Sequence, residues 1–167
     1  MVLAVPRLLD GFAKRLIDLI DAEKISVFGT SPKFLATLEK AGLQPRLSHN
    51  LSSLKTLLCT GSALSPQSYD YVYREIKADL CLASMSGGTD IVSCFVNGNP
   101  LTSVRRSEMQ GKSLGMAIEV WNDAGQPVIG EKGELVCTRH FPAMPIGLWN
   151  DPDGEKLRAS YFSQFPG

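Results

Sequence analysis

The chain has 167 residues, of which 44% are hydrophobic and 20% are charged, enough for one domain with an apolar core. Seventeen basic residues balance seventeen acidic ones, so charge does not favour binding to nucleic acid or to an anionic membrane surface. The longest apolar runs, such as 54–59 and 116–121, are far shorter than the roughly 20 residues that cross a bilayer. Small molecules or other proteins are therefore the expected partners.

Residues 7–24 have the spacing of an amphipathic helix, with apolar side chains on one face and charged ones on the other. The apolar positions are Leu8, Leu9, Phe12, Leu16, Leu19 and Ile20. A short buried strand is predicted at 25–28. Ser31 and Pro32 then predict a second helix, because serine caps a helix N-terminus and proline suits its first position. This helix is expected to end just before Gly42, which can cap it.

The alternation of strand and helix continues along the chain. A buried strand is predicted at 54–59, a helix beginning at Ser65 and Pro66, and another strand at 80–85. Uniformly apolar strands that alternate with helices are typical of a parallel sheet. Residues 1–100 are therefore predicted to form part of a doubly wound parallel sheet in an α/β fold.

The segment Asn-Gly-Asn-Pro at 97–100 is a strong turn signal, after which the pattern becomes β-rich. Strands are expected at 116–121 and 134–138, and the turn sequence Asn-Asp-Ala-Gly follows the first of them at 122–125. Residues 101–167 are therefore predicted to form a β-rich subdomain, an antiparallel sheet or a partial barrel.

The cysteines lie far apart and none belongs to a Cys-x-x-Cys pair; they are Cys59, Cys81, Cys94 and Cys137. We expect buried free thiols in a reducing compartment. The N-terminus lacks the pattern of a secretory signal, so a cytoplasmic location is expected. His49 and His140 have no nucleophile beside them in a catalytic motif, and we expect both at the surface.

Two loops carry residues suited to binding a nucleotide. They are Thr-Gly-Ser-Ala-Leu-Ser at 60–65 and Ser-Gly-Gly-Thr-Asp at 86–90. In an open parallel sheet ligands bind beyond the carboxyl ends of strands, so these loops are predicted to form one crevice. Paired glycines let a ligand approach the backbone, Thr89 supplies a hydroxyl for phosphate, and Asp90 supplies a hard oxygen for Mg²⁺. The residues alone leave two interpretations open, an anion site or an ordinary tight turn.

Three strings extend this pattern, Ser-Gly-Gly-Thr-Asp-Ile at 86–91, Gly-Glu-Leu-Val-Cys-Thr at 133–138 and Tyr-Phe-Ser-Gln-Phe-Pro-Gly at 161–167. In the order of these strings and in their residues, the chain resembles the adenylate-forming acyl-CoA synthetase superfamily, and within it the acetoacetate–CoA ligase family. The resemblance implies two steps. Acetoacetate first attacks the α-phosphate of ATP to give an acyl-adenylate, and coenzyme A then displaces AMP. It also implies that residues 1–100 and 101–167 are parts of one AMP-binding domain.

The resemblance assigns roles by position. The catalytic residues are expected to be Thr89 and Asp90, with Asp90 also holding Mg²⁺, and the acyl pocket is expected to be bordered by Thr60 and Gly87. The nucleotide is expected to contact Gly61, Ser62, Ala63, Ser86, Gly88 and Thr89. The chain departs from the common family pattern in three places: Ser86 replaces an aromatic residue, Asp90 replaces glutamate, and Ser-Ala at 62–63 replaces Glu-Pro.

Gly87 aligns with a tryptophan that closes the acyl pocket in acetyl-CoA synthetases. Glycine is therefore expected to leave room for the four carbons of acetoacetate. The alternative is that Gly87 is glycine only because its backbone needs a positive φ.

The chain is also expected to be an internal fragment, lacking the phosphate loop, the ribose-binding aspartate and the C-terminal lysine of complete members. We therefore expect the isolated chain to be inactive. Two alternatives stay open: a ligase for another short acid, or a non-catalytic nucleotide-binding module. ATP–pyrophosphate exchange separates catalysis from simple binding.

Overall fold

The computed structural model describes the backbone of residues 5–165 and the side chains of residues 11–165. The helices are α1 (Val5–Ala22), α2 (Pro32–Lys40), α3 (Pro45–Ser48), α4 (Pro66–Tyr71) and α5 (Glu155–Tyr161). The strands are β1 (Val27–Thr30), β2 (Thr56–Cys59), β3 (Cys81–Ser84), β4 (Ser86–Gly88), β5 (Ser93–Asn97), β6 (Gly111–Lys112), β7 (Ile118–Trp121) and β8 (Glu134–Cys137). A π-helical turn, Val72–Ile76, extends α4. The predictions made for the side chains of Leu8 and Leu9, for residues 1–4 and for the last two residues lie outside the described residues.

The chain divides into two compact units, the first made of residues 1–86 and 96–111 and the second of residues 87–95 and 112–167. The first unit contains a parallel sheet with the order β1-β2-β3. Thr56 is the register partner of Val27 on one side and of Cys81 on the other. Because these strands are parallel, their carboxyl ends meet at one edge of the sheet. The predicted α/β fold with a parallel sheet is confirmed.

Two helices begin where the sequence predicts them. The Ser31 hydroxyl accepts a hydrogen bond from the amide of Phe34, and α2 has proline at its first position. The Ser65 hydroxyl accepts likewise from the amide of Ser68 at the start of α4. Past the end of α2, Gly42 has φ +65°, a conformation that suits glycine at a helix C-terminus.

The core of the first unit consists of apolar side chains from its helices and from the parallel sheet. Helix α1 contributes Ala13, Ile17 and Ile20. This is a correction to the predicted apolar face, because Phe12 is 57% exposed and Leu19 is 46% exposed. The helix carries apolar residues on two adjoining stripes, and the stripe through Ala13 and Ile17 is the one that packs on the core.

Strand β1 begins two residues later than the prediction at 25–28. The carbonyl of Ser26 accepts hydrogen bonds from the amides of Lys55 and Thr56, and regular pairing starts after it. Val27 is 53% exposed because β1 lies at an edge of the three-stranded sheet. The prediction of a fully buried strand is therefore wrong at this position.

In the second unit, β7 and β8 pair antiparallel, with Ile118 opposite Cys137 and Trp121 opposite Glu134. This confirms the predicted antiparallel pair. The side chain of Asn122 closes the turn after β7 by accepting hydrogen bonds from the amides of Ala124 and Gln126. Among the strands between β3 and β7, a further three-stranded sheet has the order β4-β5-β6.

All four cysteines are free thiols, as expected, but only Cys59 is fully buried and the other three are half-buried. Burial raises the pKa of the Cys59 thiol to about 11. Within the part of the chain that the structure describes, no helix combines the length and the apolar character that crossing a membrane requires.

Candidate nucleotide site

Thr60 links the loops that follow β2 and β3. Its hydroxyl donates a hydrogen bond of 3.2 Å to the Met85 carbonyl, while the amide of Met85 donates to the carbonyl of Cys59 at 2.9 Å. The amide of Thr60 also donates to the carbonyl of Thr30 at the end of β1. The loops after β2 and β3 therefore start side by side at the carboxyl edge of the sheet. This contact occupies the Thr60 hydroxyl as a donor.

The predicted adenine loop projects from that edge. Gly61, Ser62 and Ala63 are exposed, whereas Leu64 is buried. Gly61 has φ +100°, a left-handed conformation in which other residues are strained. Held by Thr60 at one end and by Leu64 at the other, the loop presents mainly backbone groups. Such groups suit contact with the edge of a purine.

The second predicted loop is partly a strand, which corrects the expectation that residues 86–90 form a loop throughout. Ser86, Gly87 and Gly88 form β4, and residues 89–92 connect β4 to its neighbour β5. Ser86 is half-buried, while Thr89 and Asp90 are exposed in the connection. The amide of Val92 donates to the carbonyl of Thr89 at 3.3 Å. Thr89 and Asp90 therefore lie at the tip where β4 turns towards β5.

Gly87 is glycine for a reason that the sequence did not indicate. Its φ is not positive, so the alternative proposed from the sequence does not apply. A Cβ placed on Gly87 would lie 2.7 Å from the Cα of Cys94 and closer still to the carbonyl oxygen of Ser93. The close approach of the β5 backbone therefore excludes a side chain here.

The carboxylate of Asp90 folds back over β4. A Cβ on Gly88 would collide with its Oδ1 atom, so the absence of a side chain at Gly88 makes room for that oxygen. The other oxygen, Oδ2, accepts a hydrogen bond from the hydroxyl of Tyr161 at the end of α5. This contact raises the pKa of the Tyr161 phenol above its ordinary value, which keeps the proton on the donor.

The donors present fit a magnesium ion that is bound together with a nucleotide. Mg²⁺ usually takes one or two protein carboxylates and completes its shell with phosphate oxygens and water. Asp90 would supply one carboxylate to such an ion, and the hydroxyl of neighbouring Thr89 would be available to a phosphate oxygen. Among the described residues, no group of three or more His, Cys, Asp or Glu side chains is placed to bind a metal ion without a nucleotide.

Two residues of interest were missed or misjudged from the sequence. Tyr161 belongs to a string that supports the family resemblance, but nothing in its spacing indicates a contact with Asp90, 71 residues earlier. His49 only partly fits the expectation of a surface residue, because it is half-buried and its side chain is 11% exposed. Its ring lies 2.8 Å from Ser48 Oγ and 2.8 Å from Asp18 Oδ1. His140 is exposed, as expected.

The amino-acid sequence of the chain is similar to those of acetoacetyl-CoA synthetases. Acetoacetyl-coenzyme A synthetase of Rhizobium meliloti (strain 1021) is 59% identical over 150 residues, covering 90% of this chain and 23% of the relative. Acetoacetyl-CoA synthetase of Gallus gallus is 53% identical over 152 residues, covering 91% of this chain and 23% of the relative. The chain thus spans about a quarter of the length of the curated relatives it matches.

Solved structures agree with the sequence relatives. Acetoacetyl-CoA synthetase from Streptomyces lividans matches with a TM-score of 0.84 and 37% identity, over 92% of this chain and 24% of that chain. The anthranilate CoA ligase AuaEII, solved with anthranoyl-AMP, matches with a TM-score of 0.72 and 22% identity, over 88% of this chain and 27% of that chain, which shows the fold. The family model described as AMP-binding enzyme matches residues 1–144. Since that match covers most of the sequence, this chain belongs to the AMP-binding enzyme family.

Proposed function

We propose that this chain contributes to an ATP-dependent ligase that joins acetoacetate to coenzyme A through an acetoacetyl-adenylate. The observation that carries the proposal is the 59% identity, over 150 residues, to an acetoacetyl-coenzyme A synthetase. The arrangement of Thr89 and Asp90 at one exposed tip supports it. A cytoplasmic location is part of the proposal, because four free thiols suit a reducing compartment.

In this proposal the chain's residues bind ATP and stabilise the charge that develops on its α-phosphate. Gly61, Ser62 and Ala63 contact the adenine through their exposed backbone. The Thr89 hydroxyl donates a hydrogen bond to a phosphate oxygen, and Asp90 holds Mg²⁺ beside it. The ion, when bound, neutralises phosphate charge during attack by the acid. Ser86 and Gly88 border the nucleotide from β4.

Acetoacetate is the proposed acid, with Thr60 and Gly87 bordering its pocket. The runner-up is a ligase for another short acid, since most of the proposed site residues, Thr89 and Asp90 among them, act on ATP rather than on the acyl chain. Substrate choice therefore needs direct measurement. The isolated chain is expected to form no acyl-adenylate, because it spans only 23% of the relative's length.

A segment exchange tests the function. The matching segment of the Rhizobium meliloti enzyme is replaced by this chain's residues, and ATP–pyrophosphate exchange is measured with acetoacetate and with acetate. We expect exchange that prefers acetoacetate. A chimera that prefers acetate points to the other short-chain ligase, and a folded chimera that binds ATP without exchange points to the non-catalytic module.

The role of Thr89 is tested in the same chimera by Thr89→Val, which removes the hydroxyl at nearly constant shape. We expect kcat to fall on the order of 10²-fold, as for loss of one donor to a charged transition state. Thr102→Val is the control, because Thr102 is an exposed loop threonine whose hydroxyl donates to Asn99. An unchanged rate in Thr89→Val removes Thr89 from the site.

A further inference from the structure

The contact between Tyr161 and Asp90 stands out in the second unit because it joins residues 71 positions apart at the proposed nucleotide site. A phenol that donates to a carboxylate makes a charge-assisted hydrogen bond, which is roughly twice as strong as one between neutral groups. Because Tyr161 contacts only Oδ2, the Oδ1 atom of Asp90 keeps its lone pairs for another partner. The contact therefore orients the carboxylate without occupying both of its oxygens.

Tyr161 is itself held in place by an organised segment. Asp151 accepts hydrogen bonds from the amides of Lys156 at 3.0 Å and Leu157 at 2.9 Å, near the start of α5. The Lys156 ammonium donates to the carbonyl of Asn150 at 2.7 Å, which ties the preceding loop to the helix. Tyr161 is the last residue of this short helix. The Tyr161 hydroxyl is thus positioned by a helix whose first amides are hydrogen-bonded to Asp151, and not by a free loop.

Two neighbours therefore define where the carboxylate of Asp90 lies, although only Tyr161 is hydrogen-bonded to it. On one side Gly88 leaves the space that Oδ1 fills, and on the other the Tyr161 hydroxyl contacts Oδ2. An exposed aspartate in a strand connection would otherwise sample several rotamers and lose that freedom when it binds a metal. Groups that orient a metal-binding carboxylate typically change metal affinity or activity by 10- to 100-fold when removed.

We propose that Tyr161 is a positioning residue that holds the Asp90 carboxylate in the orientation needed to bind the magnesium ion of Mg·ATP. This inference rests on the proposed function and adds to it a residue that acts through Asp90. The alternative is that the contact only fastens α5 to the strand connection, which predicts a loss of stability and no change in metal binding.

The experiment uses the segment-exchange enzyme with Tyr161→Phe, which removes the hydroxyl and keeps the ring. Binding of Mn²⁺ is titrated by electron paramagnetic resonance in the presence of α,β-methylene-ATP, a readout that needs no turnover. We expect Mn²⁺ to bind roughly 10-fold more weakly. In ATP–pyrophosphate exchange, the concentration of Mg²⁺ for half-maximal rate should rise by a similar factor, while the KM for acetoacetate stays unchanged.

Tyr71→Phe is the matched control, because the Tyr71 hydroxyl donates to the carbonyl of Leu43, within the first unit. It should leave Mn²⁺ binding unchanged.

In an Asp90→Asn background, Tyr161→Phe should have no further effect on Mn²⁺ binding, since both residues act through one carboxylate. Unchanged Mn²⁺ affinity in Tyr161→Phe, or an equal loss in both backgrounds, overturns the inference. Failure of Asp90→Asn to weaken Mn²⁺ binding instead contradicts the metal role of Asp90 in the proposed function.

Discussion

His49 Nε2 lies 2.8 Å from Asp18 Oδ1, a contact that joins the loop after α3 to helix α1 across 31 residues of chain. The next amide, that of Asn50, donates to Asp21 Oδ2 at 2.9 Å, so two carboxylates of α1 hold the same loop. The hydrogen bond from His49 lowers the pKa of Asp18 below its ordinary value of 3.8. The hydrogen bond from Asn50 has the same effect on Asp21.

The lowered pKa values of Asp18 and Asp21 predict that the folded protein loses stability in acid. Because folding lowers the pKa of Asp18, its contribution to stability is present above about pH 4 and is lost as pH falls through the lower folded value. Asp18→Asn should lower the free energy of unfolding at neutral pH and flatten its fall below about pH 4. Denaturant titrations across this pH range measure both effects. Asp123→Asn, at an exposed turn residue, is the control; an identical pH profile in the two variants contradicts the role of the His49 contact.

Gly87→Ala should destabilise the protein, because the new Cβ meets the backbone of Ser93 and Cys94. We expect a loss of about 1–3 kcal/mol in the free energy of unfolding, the usual cost of overpacking. Gly29→Ala is the matched control in another strand, since a Cβ there meets nothing within 4 Å. Chemical denaturation of both variants gives the comparison, and equal stabilities contradict the crowding.

The same geometry bears on substrate choice. In the segment-exchange enzyme, crowding by itself would lower kcat/KM equally for acetoacetate and acetate. Because Gly87 is proposed to border the acyl pocket, we expect Gly87→Ala to lower kcat/KM for acetoacetate more than for acetate. Equal losses for the two acids contradict the proposed pocket role of Gly87.

Val92→Asn should stabilise the protein. Val92 has φ 48° and is 89% exposed, so a β-branched residue occupies a left-handed conformation without burying its side chain. Asparagine tolerates this conformation, and relief of the strain should contribute about 1 kcal/mol. Thermal denaturation measures the gain. Ile129→Asn, at a residue that is 99% exposed and not left-handed, should show no such gain; a similar gain at Ile129 would mean that lost apolar exposure, and not backbone strain, is the cause.

Cys59 should resist alkylation in the folded protein. Burial raises its pKa to about 11, so at pH 8 only roughly one thiol in a thousand is in the reactive thiolate form. Iodoacetamide labelling followed by mass spectrometry should find the half-buried Cys94 and Cys137 modified before Cys59. In denaturant all sites should react at similar rates. Early labelling of Cys59 without denaturant contradicts its burial.

Local features of the chain could be predicted because their causes lie within a few residues. Ser31 and Ser65 cap helices through amides only three positions away, and Gly42 follows α2 with the positive φ that glycine accepts. The apolar pattern of β7 and β8 places both strands within two residues of their observed starts. Hydrogen bonds and steric limits of such short range are encoded by neighbouring side chains.

Other features depend on packing between distant segments. Helix α1 has two apolar stripes, and packing selects the stripe of Ala13 and Ile17. Which residues approach Asp18 and Asp90 depends equally on how distant parts of the chain fold together. Tyr161 contacts Asp90 across 71 residues, and no local pattern favours that partner over another. Residue types and the family resemblance therefore identify residues 60–65 and 86–90 as candidates for a nucleotide site, and that role stays a prediction. The orientation of the Asp90 carboxylate arises instead from tertiary contacts, because only folding brings Tyr161 within hydrogen-bond distance.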